Sequence, residues 1–178
     1  MAYELFISPN RLKRDTALGG SVDDDLIAPY IWAAQMQHIY PVLGTALYDK
    51  MTADVGTGSV TGEYETLLET YIQPCLVQFA FATLIPFLRV RFVNNAIVVM
   101  ESEQSSPADS EQIKSVVNKT EALASFLKER LIDRLIYNTE LYPEYRQNTG
   151  EQLHPTVRNY TQGLNLDPGR LDYDEQTS

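Results

Sequence analysis

The stretch YIQPCLVQFAFATLIPFLRVRF (71–92), continued through Val93 by NNAIVVMESEQSSPAD (94–109), decides the fold. Its first half is apolar enough to be the core helix of a bundle, and the residues upstream extend that helix to Glu63. Glu63, Glu65 and Glu69 lie in the early turns and Arg89 and Arg91 at the far end, each sign favoured by the helix dipole. The expected helix therefore covers 63–92. Pro74 and Pro86 lie within it, and each removes a backbone donor and is expected to kink or break the rod. Asn94-Asn95 then signals a turn, and Ala96-Ile97-Val98-Val99-Met100 is β-branched enough for a strand. A lone strand needs a partner, which residues 101–105 folded back, residues 3–7, or the same strand of a neighbouring copy would supply.

Downstream, Ser106-Pro107-Ala108-Asp109 reads as a helix start, with a cap, a proline at the first position and an acid at the third. The helix that follows, to Asn138, carries Ile113, Val116, Val117, Leu123, Leu127, Leu131 and Leu135 as an apolar stripe, with acidic and basic residues balanced elsewhere. Past Asn138 no period is sustained. Three prolines, three glycines and four tyrosines over 139–178 describe an extended tail that docks on a surface, its own or a neighbour's, through apolar anchors. Those anchors include Tyr142, Tyr145, Leu153, Val157, Tyr160, Leu164 and Tyr173.

Upstream, Ser8-Pro9 starts a short helix that ends by Leu18-Gly19-Gly20. Ser21 opens a second helix in the manner of a capping box, with Asp23, Asp24 and Asp25 at the positive end of its dipole. Ile27, Ile31, Ala34 and His38 recur at helical spacing over 22–39, Pro29 bends the start, and Pro41 is expected to break the helix just after His38 caps its negative end. VLGTALYDKMTADV (42–55) is a further helix, entered through Pro41 and left at Val55-Gly56-Thr57-Gly58. The loop VGTGSVTG (55–62) has three glycines but neither the Lys-Ser/Thr of a phosphate loop nor a strand before it, and reads as a connector.

Taken together, the order predicts a mainly α fold: a helical bundle with a short β-strand or hairpin element and an extended C-terminal tail. One domain fits 178 residues. It divides into an N-terminal segment over 1–20, a helical core over 21–138 with its β element near 96–105, and a docking tail over 139–178.

Composition narrows the function. The formal net charge of −10 is spread along the chain, and no segment is strongly basic, which argues against tight binding to phosphate backbones. Cys75 is the only cysteine, so there is no internal disulfide, and a small buried hydrophobe in reducing surroundings is its expected role. The start, MAYELFISPNRLKR, lacks the apolar core of a signal peptide, and a cytoplasm-like compartment is expected. A membrane span around residues 72–90 is weighed and set aside, because Gln73, Gln78 and two prolines interrupt it. His38 and His154 stand far apart and outside any ligand motif, and no nucleophile motif or dinucleotide fingerprint occurs. No enzyme activity, metal or cofactor is expected.

HIYPVLGTALYDKM (38–51), YIQPCLVQFAFATLIPFLRVRFVNNAIVVM (71–100) and the SPAD-capped helix after them resemble the head–tail connector (adaptor) proteins of tailed bacteriophages, of the type carried by phages of Bacteroidetes-like hosts. The resemblance spans about residues 5–145 and leaves the tail aside. It implies a structural virion protein, a ring of copies at the head–tail junction, commonly a dodecamer, that bridges the portal protein and the tail or further ring proteins. It places the protein in the virion, and in the host cytoplasm during assembly. Double-stranded DNA would pass through the channel without specific binding, which an acidic lining favours. Ile97, Val98, Val99 and Met100 and the tail anchors would then form contacts between subunits or with the portal. A small helical module that binds a peptide or ligand beside residues 71–92, or acts as a regulator, is the alternative.

Overall fold

Proline cannot donate to the helix ladder, and its ring crowds the carbonyl four residues back, so a helix that crosses one loses a bond there; Pro29 in Asp24–Ala34 and Pro86 in Gln73–Leu88 are crossed within α-helix. The computed structural model describes residues 4–19, 22–88, 90–93, 96–99 and 110–156, with the backbone alone at 90–93 and 96–99. In it, two further prolines are each crossed through a π turn. Helix α2 (Asp24–Ala34) runs through a π-helical turn at Gln35–Ile39 into α3 (Tyr40–Thr57), and α4 (Glu63–Thr66) runs through a π turn at Leu67–Ile72 into α5 (Gln73–Leu88). Tyr40 N–H donates to Gln35 C=O and Gln73 N–H to Leu68 C=O, each five residues back. The next residues are Pro41 and Pro74. The wider turn ahead of each proline lets the rod continue. Pro41 is therefore not the helix end that its residue type predicts, and His38 does not cap one.

The remaining helices follow their caps. Ser8 Oγ accepts from Arg11 N–H at 3.2 Å and starts α1 (Pro9–Asp15). The cap of α2 is Asp23 rather than Ser21, and Asp24 pairs with Lys13 at 2.6 Å. Helix α3 ends at Gly58, whose left-handed backbone lets the N–H groups of Gly58 and Ser59 return to Val55 and Asp54. The Ser106-Pro107-Ala108-Asp109 start lies outside the described residues, and α6 is seen over Ser110–Tyr137.

The fold is mainly helical. Helix α5 packs between α2 and α6, and α6 runs antiparallel to it: Arg134 reaches Glu63 at 2.7 Å near one end, and Cys75 Sγ faces Ala124 C=O at 3.7 Å near the middle. Burial pushes the Cys75 thiol up to about 12, so it acts as a small hydrophobe. Helix α5 stops at Leu88, not Phe92. Val90–Val93 (β1) instead pairs antiparallel with Ala96–Val99 (β2), Val90 opposite Val99 and Val93 opposite Ala96. The partner of Ile97 to Val99 is thus the segment expected to be the last helical turn. Residues 101–105 lie outside the described residues.

The apolar stripe expected on α6 divides. Ala124, Leu131, Ile132 and Leu135 are buried, whereas Val116 and Leu123 are each 47% exposed. Val116 and Val117 are neighbours about 100° apart on a helix, so both cannot meet the same wall. The core also continues past Asn138. Two 3-10 turns, Thr139–Leu141 and Pro143–Arg146, seat Tyr142 and Tyr145 in it.

Residues 4–7 form no strand. Gln35 Oε1 accepts from Phe6 N–H at 2.9 Å, and Gln73 Nε2 donates to Phe6 C=O at 2.8 Å. Gln35 Nε2 also donates to Glu4 C=O and to Tyr48 Oη, and Arg11 donates to Gln73 Oε1. One glutamine from each proline-linked turn thus holds the N-terminal segment, with Phe6 and Ile7 buried. Replacing Gln35 by Leu strands the Phe6 N–H and removes a donor from the Glu4 C=O and from the Tyr48 hydroxyl, which keeps its contact with Met36 Sδ, and is expected to cost about 2–4 kcal/mol. Urea unfolding measures this; an unchanged midpoint would show that the N-terminal segment contributes nothing to the fold.

Candidate functional site

Within α3, Gly44 has φ 73° and ψ 167°, a conformation open to glycine and strained for other residues. An unbroken helix would bond Thr45 N–H to Pro41 C=O. Here that bond is opened and both halves are taken by residues 148–156, a strap laid across the break. Thr45 N–H donates to Leu153 C=O at 3.0 Å, and Thr156 N–H donates to Pro41 C=O at 2.9 Å. Leu153 N–H donates to Thr45 Oγ1 at 2.9 Å, and the Thr156 hydroxyl adds a second donor to Pro41 C=O at 3.0 Å. The buried Asn148 accepts from Ala46 N–H at 2.9 Å and donates to Tyr145 C=O at 3.3 Å. A Cβ at residue 44 would lie 2.9 Å from Pro155 Cδ and 3.0 Å from Leu153 O, so glycine is required for space as well as for φ. Beside the strap, an open hollow of about 660 Å³ is lined by Tyr40, Thr45, Glu151, Gln152, Leu153 and His154.

Of the residues expected at interfaces, Leu153 is in this strap and half-exposed. Tyr142 and Tyr145 are not available to a neighbour: both are buried against the chain's own helices. The Tyr142 hydroxyl accepts from Arg134 Nε and donates to Glu63 C=O, each at 3.3 Å, and Arg134 lies over the rings of Tyr71 and Tyr142. The Tyr145 hydroxyl is buried with no hydrogen-bond partner among the described residues, and burial raises its pKa. Ile97, Val98 and Val99 follow the β2 backbone. Met100, Val157, Tyr160, Leu164 and Tyr173 lie outside the described residues.

His38 stacks on Phe79, with ring centroids 3.7 Å apart and planes 6° from parallel. Burial first, and then the Lys128 cation, hold its pKa down at about 4. It is a neutral packing residue where the first π turn meets α5. Among the described residues no group of three or more His, Cys, Asp and Glu side chains could hold a metal ion. The run Glu63–Leu88 is long and apolar enough to cross a membrane, and in the fold it supplies core residues, among them Cys75, Leu76 and Leu84. Of its most apolar stretch 44% is buried in the fold.

Two groups of exposed apolar side chains lie on the outer flanks, while Tyr137, Leu141 and Leu153 are exposed elsewhere. On the α2 side, Leu26 and Phe87 are exposed, and Phe87 packs on Tyr30 with centroids 5.0 Å apart. On the α6 side, Val116, Leu123 and Phe126 share one outward stripe, Phe126 being 57% exposed.

Residues 39–153 match a family of unknown function, DUF6712. The chain belongs to this family. The DUF6712 match begins at the end of the first π turn and ends at Leu153, so it takes in Pro41, Gly44, Thr45 and the first part of the strap; of the clamp it takes in Gln73 and leaves out Phe6 and Gln35. No curated protein and no solved structure matches the chain.

Two measurements test the chemistry of these side chains. Between about pH 4 and 6.5 the unfolded chain binds the His38 proton more readily than the folded chain does, so acidification through that window favours unfolding. The stability difference between about pH 7 and about pH 5 should therefore shrink in His38→Gln, and an equal difference in both proteins would remove His38 from the pH response. Tyr142→Phe should cost about 1 kcal/mol, whereas Tyr145→Phe should leave stability unchanged or raise it, because the hydroxyl it deletes is buried without a bond. A loss at Tyr145 equal to that at Tyr142 would contradict the assignment.

Proposed function

We propose that this DUF6712 protein is a structural virion protein of tailed bacteriophages that forms a ring at the head–tail junction, bridging portal and tail and continuing the DNA channel. The observation that carries this reading is the placement of exposed apolar residues on both outer flanks of the α5-centred layer, Leu26 and Phe87 on one and Val116, Leu123 and Phe126 on the other. Different patches on opposite flanks favour head-to-tail contacts between copies, and such contacts close into a ring when their rotation allows it. The resemblance of residues 5–145 to connector proteins supports the same reading, and the net charge of −10 suits a channel that DNA crosses without sticking. In this reading the β1–β2 ladder and the end of the tail, with Val157, Tyr160, Leu164 and Tyr173, reach neighbouring subunits or the portal. The ring is a dodecamer. No cofactor is involved.

The test is to mix the purified chain with its portal protein and examine the mixture by negative-stain imaging and mass measurement. Ring-shaped assemblies on the portal are expected, and Leu123→Glu with Phe126→Glu should abolish them while the isolated chain keeps its helical signal. A chain that stays monomeric with the portal present, and instead saturates with a discrete peptide or small ligand, would replace this reading with that of a binding module.

A further inference from the structure

We propose that the break at Gly44 is an exchangeable peptide-acceptor site, and that its ligand is residues 148–156 of a second copy of the chain. The proposal stands apart from the junction reading, since it rests only on the splice between α3 and the strap.

The site has the chemistry of an acceptor. It offers two backbone donors, Thr45 N–H and Ala46 N–H, one backbone carbonyl at Pro41, and the Thr45 hydroxyl. A matching ligand is an extended segment that presents a side-chain amide oxygen, then a carbonyl with its own N–H, then an N–H three residues later. Asn148, Leu153 and Thr156 supply that set. The segment meets the site without a bulky anchor: Thr149, Gly150, Glu151, Gln152, Leu153 and His154 are all exposed, and Asn148 is the buried contact.

Release of the strap leaves few backbone groups stranded. Glycine reaches helical φ as readily as φ 73°, so once the strap leaves, Thr45 N–H can close on Pro41 C=O and the helix recovers the bond the strap had split. The cis and trans forms make the same contacts and so differ little in energy, and a released state that recovers the helix bond lowers the cost of passing between them. The strap is also free to swing. Tyr142 and Tyr145 fix the chain just before it, and Gly150, at φ 61° with open space around it, lies within it. When extended, the chain from Tyr145 reaches roughly 10 Å at Asn148 and roughly 35 Å at Thr156, so an adjoining copy must present its Ala46 within about 10 Å of the donor's Tyr145. The open hollow beside Thr45 gives an incoming segment room to align before the resident one leaves. A second copy is the occupant because it carries, by identity, the one sequence seen to satisfy this set of donors and acceptors.

Complementary full-length variants test the exchange. Gly44→Ala closes the site and frees its own strap; Asn148→Ala with Thr156→Pro spoils the strap and leaves the site open. Each alone lacks one half of the contact. Mixed, with one copy labelled by 15N, they should form a one-to-one species in native mass spectrometry, roughly tenfold or more above the self-association of either variant. A mixture with no species beyond those of the separate variants would overturn the proposal and leave the strap a purely internal contact. Thr45→Pro serves as a second site-defective variant: it removes both groups that bind Leu153, yet proline suits the first position of the helix resuming after Gly44. It must reproduce the pairing with the strap-defective copy, and its failure beside a successful Gly44→Ala would mean that the association runs through another surface. No portal is present, so either outcome leaves the junction test untouched.

Discussion

The constraint on which this structure turns is the interruption of hydrogen-bonding in its central helices. Pro41 and Pro74 each lack a donor where a buried rod needs one, and the fold meets both in the same way, with a π turn directly upstream. A π turn widens the backbone, and the two turns place Gln35 and Gln73 beside the segment carrying Phe6. The two glutamines then hold the Phe6 N–H and C=O from opposite ends of the sequence. A local defect in the ladder thus becomes a tertiary contact: the N-terminal segment is ordered by polar groups that belong to the proline turns.

Gly44 is met differently. Its break is repaired from outside, by a strap more than a hundred residues away in sequence, and the repair uses the two ends of the single bond that the break opened. A π turn is closed within its own helix and leaves nothing for a partner to recognise. A break filled by a separate segment makes the order of that segment conditional on the shape of the helix, and the shape of the helix conditional on the segment. The DUF6712 match includes both sides of this contact up to Leu153.

Much of the helical layout was legible in sequence because it depends on local chemistry. Ser8-Pro9 and the glycines before Gly62 bound their helices as residue type predicts, and the apolar run from Tyr71 reads directly as core. What stayed hidden is non-local. Pro41 reads as a breaker because nothing in the sequence shows that the preceding turn will widen. Arg89 and Arg91 read as dipole partners of a helix, but the alternation of Val90, Phe92 and Val93 suits a ladder once Asn94-Asn95 turns the chain. Val116 and Leu123 share a line along α6, but Leu131 lies roughly 60–80° round the helix from it at about 100° per residue, so a list of apolar residues does not show that the stripe is too wide for one wall. Of the splice, one signal was visible, an isolated glycine three residues after a proline inside an otherwise helical pattern. Asn148 gave none, since its partner is Ala46.

The same distinction bears on where function lies in this fold. Tyr142 and Tyr145 look like docking anchors by residue type, yet they are consumed by the chain's own core, and Tyr145 is buried at the expense of its hydroxyl bond. Aromatic content alone therefore overstates the reach of the tail. Two features stand outside the core: apolar flanks set by the faces of α2 and α6, which are fixed in place by helix packing, and a strap held by backbone hydrogen bonds and by the Thr45, Asn148 and Thr156 side chains at a helix that can close without it. Rigid flanks give a contact its geometry and a weakly anchored strap gives it adaptability. In the proposed ring, a subunit carrying both would hold a fixed relation to its neighbours while one segment moves between them, and under that reading the protein acts through contacts between chains rather than in a pocket.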